Sequence, residues 1–225
     1  MKQAAAVQPL KVLVFAHTPP PHHGQSYMVQ LMLEGLRADT PEGRRRGIRC
    51  HHVDARLSAG LEDVGSMRPG KLLALGRHLL QAWWARWRHG VRVFYYVPSP
   101  PKRSALYRDW LVMLCCRPIF RRLVFHWHAV GLGEWLEREA RPWERRLSHG
   151  LLDGADLAIV LSDFNRADAA RFRPRRMVTV ANGIPDPCPD FEAVLAPRRT
   201  ARAAERRARL GASASRPTGE GAGHE

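Results

Sequence analysis

Histidine stands out in this sequence as a carrier of chemistry, because it falls in tight groups beside short apolar runs. One group is His17-Thr18-Pro19-Pro20-Pro21-His22-His23-Gly24-Gln25, following KVLVFA; another is His126-Trp127-His128, closing LVFHWH. An imidazole changes charge near neutrality: neutral, it hydrogen-bonds a hydroxyl, and protonated, it offsets an anion. Gly24 opens a helical pattern, and a helix start with free backbone amides suits a phosphate. Further polar side chains follow other apolar runs: Ser99, Ser162 with Arg166 one turn on, and Asn182-Gly183. Asn-Gly reads equally as a tight turn, and Arg166 equally as a solvated charge. By ligand type alone His22, His23, His126 and His128 admit a metal, but no motif fixes their geometry and no metal is expected.

Several chemistries are excluded by pattern. There is no GxxxxGK[ST] phosphate loop, and Gly131-Leu132-Gly133 lacks the third glycine of GxGxxG and follows the fourth apolar run, not the first. Ser162 lies between Leu161 and Asp163, so no GxSxG nucleophile elbow exists, and no two aspartates are spaced as DxD.

The elements that must position these residues are legible as two alternating periods. Short β-branched or aromatic runs at Lys11–Ala16, Ile48–Asp54, Val91–Val97, Leu123–His128, Asp156–Ser162 and Met177–Ala181 predict strands. Between them Gln25–Leu36, Lys71–Arg88, Ser104–Cys116, Gly133–Gly150 and Asp163–Phe172 carry helical spacing. This alternation predicts an α/β fold with a doubly wound, Rossmann-like parallel sheet, whose ligands bind beyond the carboxyl ends of the strands. From about Pro185 the character changes: a Pro-rich linker, an Arg/Ala-rich helix at Ala196–Leu210, and a low-complexity stretch, Gly211–Glu225, expected to be disordered.

Four segments together resemble the N-terminal domain of family 4 glycosyltransferases, enzymes of the GT-B fold. They are KVLVFAH running into a Pro-rich turn with Gly24, FHWHAVGLGEWLER at Phe125–Arg138, ADLAIVLSDFNRADA at Ala155–Ala169, and VTVANGIPD at Val178–Asp186. The resemblance implies transfer of a hexosyl group from a nucleotide sugar to a saccharide or lipid-linked acceptor, as in polysaccharide or glycolipid synthesis. It implies that Gly24 and Gln25, standing where the family often has two glycines, lie against the donor diphosphate. It implies His126, with His128 next on the same strand face, as the catalytic histidines at the reacting sugar. Ser162 and Arg166 are then donor-side phosphate contacts, and His17, Asn182 and Gly183 line the cleft. No metal or other cofactor is implied. On this reading residues 9–187 form the acceptor-side domain, and residues 188–225 a linker helix and tail. Nothing here matches the family's nucleotide-binding second domain, so a separately encoded donor domain is an expected partner and activity alone is expected to be poor.

Composition bounds the partners. The chain has 225 residues and a formal charge of +15, with 36 basic residues of which only Lys2, Lys11, Lys71 and Lys102 are lysine. That charge attracts polyanions, so the alternative function is a non-catalytic basic module for anionic membrane or nucleic acid. Lys71–His89, with three tryptophans among leucines and arginines, reads either as a core-facing amphipathic helix or as one lying in a membrane interface. The tail helix places Arg198, Arg199, Arg202, Arg206, Arg207 and Arg209 against Glu205 with no aromatic residue among them. It reads as a solvated linker, and no specific nucleic acid is expected. Four cysteines at positions 50, 115, 116 and 188 form neither a disulfide framework nor a CxxC pair. With no apparent signal-peptide core or membrane span, the expected location is cytoplasmic, with peripheral contact at the inner membrane face.

Overall fold

The computed structural model describes residues 8–37, 40–57, 69–184, 186 and 188–214. Their order is β1 (Leu10–Phe15), α1 (Gly24–Gly35), α2 (Pro41–Arg45), β2 (Ile48–Val53), α3 (Pro69–Arg88), β3 (Val93–Tyr96), α4 (Arg103–Cys116), β4 (Arg122–Trp127), α5 (Leu132–Arg138), α6 (Pro142–Leu152), β5 (Leu157–Val160), α7 (Asp163–Ala170), β6 (Met177–Thr179) and α8 (Ala196–Ala214). The chain divides into two compact units, one ending at Gly183 and the other starting at Ile184. The second consists of a π-helical turn, Phe191–Leu195, leading into α8.

In the first unit the six strands form one sheet in the order β2-β1-β3-β4-β5-β6. Every neighbouring pair is parallel. The sheet is thus the Rossmann-like α/β arrangement that the alternation predicts. Period-two alternation sends side chains to two faces. Leu13, Phe15, Phe94, Tyr96, Phe125 and Trp127 join residues of α3 through α7 in the larger core. Val14, Ala16, Tyr95 and Val97 pack on the other face against Val29, Met32 and Leu33 of α1.

The predicted boundaries shift where local stereochemistry acts. The segment Gly133–Gly150, expected as one helix, is two, because Pro142 has no N–H and its ring obstructs the preceding turn; it starts α6 instead. Gly90 follows α3 with φ +65°, the left-handed conformation in which glycine ends a helix. The tail helix continues past Leu210 through Gly211 to Ala214; residues 215–225, and Pro185 and Pro187 of the linker, lie outside the described residues. Among the described residues no helix is long and apolar enough to cross a membrane.

Candidate functional site

β1 and β3 are neighbours in the sheet, yet the chain leaves β1 for α1 on one face and β3 for α4 on the other. Divergent connections of this kind open a crevice at the strand ends. A cavity of about 290 Å³ occupies it, with Lys71, Lys102 and Arg108 supplying three positive side chains and His17, His23 and Gln25 forming the wall beside α1. Lys102, at the start of α4, makes no side-chain cap, which leaves the first-turn amides of that helix available to a ligand. Ser99 and Ser104 also line the cavity, and the hydroxyl oxygens of both are buried without a partner. The cavity is suited to an anion with an apolar attachment, since Leu72, Leu75 and Leu111 complete its lining.

Asp109 holds this floor together. It is fully buried on the core-facing stripe of α4 with Leu106 and Met113. Tyr96 Oη donates to its Oδ1 at 2.7 Å, the Ser99 N–H donates to its Oδ2 at 2.7 Å, and the Arg108 guanidinium pairs with it at 2.9 Å. Burial, and then the Asp109 carboxylate, keep the Tyr96 phenol protonated well above its usual range, so it always donates.

Histidines gather at two places, His17 and His23 in the cavity wall and His126 and His128 at the end of β4. His23 caps α1: its Nδ1 accepts the Ser26 N–H at 3.3 Å, and Ser26 Oγ accepts the His23 N–H at 3.2 Å. With Nδ1 an acceptor, the neutral ring carries its proton on Nε2 and donates it to His17 Nε2, 2.7 Å away. Burial first, and His23 next, depress the His17 pKa to about 4. On β4 the Tyr95 hydroxyl and His126 Nδ1 are hydrogen-bonded, and His126 Nε2 is a buried atom without a partner. The rings of His126 and His128 lie 4.1 Å apart. Burial and then His128 lower the His126 pKa to about 3; burial and then His23 lower that of His128 to about 4. At neutral pH these rings are uncharged hydrogen-bonding groups, and a nearby anion is what would charge them.

Of the residues singled out in the sequence, His17 and Gln25 line the cavity, and Gly24 opens α1 beside them. A methyl group on Gly24 meets no atom within 4 Å, so the helix start is open to approach. His126, on β4, and His128, just past its end, sit together but are not among the residues that line the cavity. Ser162, Arg166, Asn182 and Gly183 lie elsewhere, at the ends of β5 and β6. Ser162 Oγ donates to Asn165 Oδ1 at 2.6 Å; Arg166 donates to Thr179 Oγ1 at 3.1 Å and lies 4.0 Å from Asp163; Asn182 and Gly183 are exposed.

Gly131-Leu132-Gly133 serves packing. Asp168 of α7 accepts the N–H groups of Gly131 and Glu134 at 2.9 and 3.1 Å, capping α5. A Cβ on Gly133 would stand 2.5 Å from Arg171 Cδ. The sequence reading leaves out Asp109, Tyr95 and the capping role of His23. Signals for two of them exist: an acidic residue three before Val112 and four before Met113 on an apolar stripe, and a serine three residues after His23, the spacing of a capping box. Among the described residues no group of three or more His, Cys, Asp or Glu side chains is placed to hold a metal ion. No protein-family model matches the chain, and no curated protein matches it.

Proposed function

We propose that the first unit is a glycosyltransferase-type domain resembling the acceptor-side half of family 4 enzymes, moving a hexosyl group from a nucleotide sugar to a saccharide or lipid-linked acceptor. The observation that carries the reading is the cation-lined cavity at the β1/β3 switch point, opened by α1 and flanked by neutral histidines. Lys71 and Lys102 offset the charge of a substrate phosphate, Arg108 being paired with Asp109, and the start of α1 at Gly24 and Gln25 adds backbone donors. On this reading His126 Nε2, buried without a partner on β4, is the group that hydrogen-bonds a sugar hydroxyl and orients the ring at the anomeric carbon. There the bond to the leaving phosphate breaks as the acceptor oxygen attacks, and its proton departs with the phosphate or to solvent. A domain holding the nucleotide must close over this one to position both substrates, whether in a longer chain or in a separate polypeptide.

The test combines the chain with donor-domain polypeptides and a panel of sugar nucleotides and measures sugar transfer. Expected is transfer that His126→Ala reduces at least about a hundredfold. Transfer indifferent to His126→Ala removes the histidine assignment, and no transfer with any donor domain removes the enzyme reading.

One observation favours a second reading, attachment to an anionic membrane. Along α3, Leu75, His78, Ala82 and Ala85 face the core, yet Leu73, Leu80, Trp84 and Trp87 are 79%, 66%, 60% and 68% exposed on the opposite arc. The helix contains Lys71, Arg77, Arg86 and Arg88 and no acidic residue. Tryptophan, leucine and arginine on one exposed arc suit the headgroup layer. Sedimentation with phosphatidylglycerol vesicles should be salt-sensitive and lost in Leu80→Glu/Trp87→Glu; equal binding of that variant, or binding to DNA alone, would sink this reading.

A further inference from the structure

The open edge of the sheet carries a second cavity, of about 620 Å³, between the end of β2 and the middle turns of α3. It shares no lining residue with the switch-point cavity, and nothing in the proposed transfer reaction uses it. His51, Asp54 and Arg56 form the wall on the β2 side, and Arg77, His78 and Trp84 form the other on α3.

Three polar atoms of that wall are buried without a partner: His51 Nε2, Arg56 Nε and His78 Nδ1. His78 is only 4% exposed. Buried polar groups are nearly always paired in folded proteins, so three of them around one cavity mark where a ligand would complete the bonding. Their chemistry says which ligand. Among the described residues Arg56 donates through Nη2, to Asp54 Oδ2 at 2.7 Å and to Pro19 O at 3.3 Å, and its Nε–H is left without an acceptor. Asp54 is already occupied, its other oxygen accepting the Thr18 N–H at 3.2 Å. With Asp54 matched by Arg56, Arg77 leaves the wall positive. Burial lowers the pKa of both His51 and His78, and the cations facing them lower it further: Arg49 and Lys11, with the His89 ring, for His51, and Arg77 for His78, against which Asp54 acts in the raising direction. An anion would relieve that repulsion and accept from both rings, each neutral imidazole having one N–H to turn toward it.

We propose that this edge cavity binds a small oxyanion, a phosphate, sulfate or carboxylate group, through His51, Arg56, Arg77 and His78. Trp84, 60% exposed at the rim, receives the flat face of whatever small molecule bears it. The site is distinct from the cation-lined switch-point cavity and does not depend on the proposed transfer reaction.

The test titrates the whole chain with sulfate, inorganic phosphate and acetate while the ring resonances of His51 and His78 are followed by NMR. Expected is a saturable shift of both rings at millimolar anion, weakened roughly tenfold by Arg77→Ala, an exposed position that should fold, and similarly by His51→Gln. The ranking of the three anions identifies the source group. Lys102→Ala, which alters only the switch-point cavity, should leave the shift in place. Rings unmoved by all three anions, a shift lost in Lys102→Ala, or a shift indifferent to both Arg77→Ala and His51→Gln would each overturn the proposal.

Discussion

At the carboxyl ends of β1 and β3 the polar side chains are buried or half-buried and gather around shared hubs, whereas at the ends of β5 and β6 they are exposed. Asp109 joins residues 96, 99 and 108, and His23 joins residues 17 and 26. Ser162, by contrast, reaches only to Asn165 in the next turn of its own helix. Topology accounts for the difference. Connections diverge to opposite faces only between β1 and β3; from β3 onward every crossover helix packs on the face of the larger core, so no crevice opens at β5 or β6. A strand end is therefore a necessary address for a site but not a sufficient one.

The strongest way to break this comparison is to remove the buried hub. Asp109→Ala strands Tyr96 Oη, the Ser99 N–H and the Arg108 guanidinium around an empty space, and it should cost on the order of 3 kcal/mol in urea unfolding. Ser162→Ala at the far edge should change stability by no more than about 0.5 kcal/mol. Equal effects would remove the distinction between the two ends.

Acid should discriminate next. His17, His126 and His128 have folded pKa values of about 4, 3 and 4, below the 6.5 of the unfolded chain. Between those limits the unfolded chain binds more protons, so stability is full above pH 6.5, falls as pH drops below it, and levels off below the folded values. Each ring contributes a slope of up to about 1.4 kcal/mol per pH unit in that window. His126→Asn, which keeps an acceptor for Tyr95, should flatten the fall by one such ring when urea midpoints are compared at several pH values. An unchanged slope would mean that His126 is hydrated and charges freely in the folded protein.

Much of the frame was legible and much of the site was not, for one physical reason. Periodicity is local, so KVLVFA, VRVFYYV and DLAIVLS reveal strands, and Gly90 a helix end, from the residues themselves. The division of Gly133–Gly150 was equally local, since Pro142 alone dictates it. Which strand ends are neighbours is decided by long-range packing, and no pattern within a segment reports it. The sequence therefore places Ser162 and His17 in equivalent positions, although three strand-to-strand steps separate β5 from β1. Asp109 was hidden the same way: its role exists only once α4 lies against the end of β3.

A smaller effect is expected at Gly131, whose φ of +97° disfavours any side chain. Gly131→Ala should cost about 1–2 kcal/mol while its N–H still bonds Asp168, a loss visible in thermal unfolding and absent if the turn can relax.

The smallest effect on stability should be the most informative about the site. Gly24 opens α1 and Gly183 follows β6; neither has a positive φ, and a Cβ on either meets nothing within 4 Å. Alanine at Gly24 starts a helix at least as well as glycine, so Gly24→Ala should leave the unfolding midpoint equal or slightly raised. Its methyl group, however, would crowd the first amides of α1 where the proposed function puts the phosphate. Ligand affinity at the switch-point cavity, measured by calorimetry with sugar nucleotides in the presence of a donor domain, should fall in Gly24→Ala and be unchanged in Gly183→Ala. Because stability is held constant, any loss is attributable to approach alone. Equal affinities for the two variants would show that the start of α1 is not where the phosphate sits, leaving the α4 end of the cavity, at Lys102 and Ser104, to receive it.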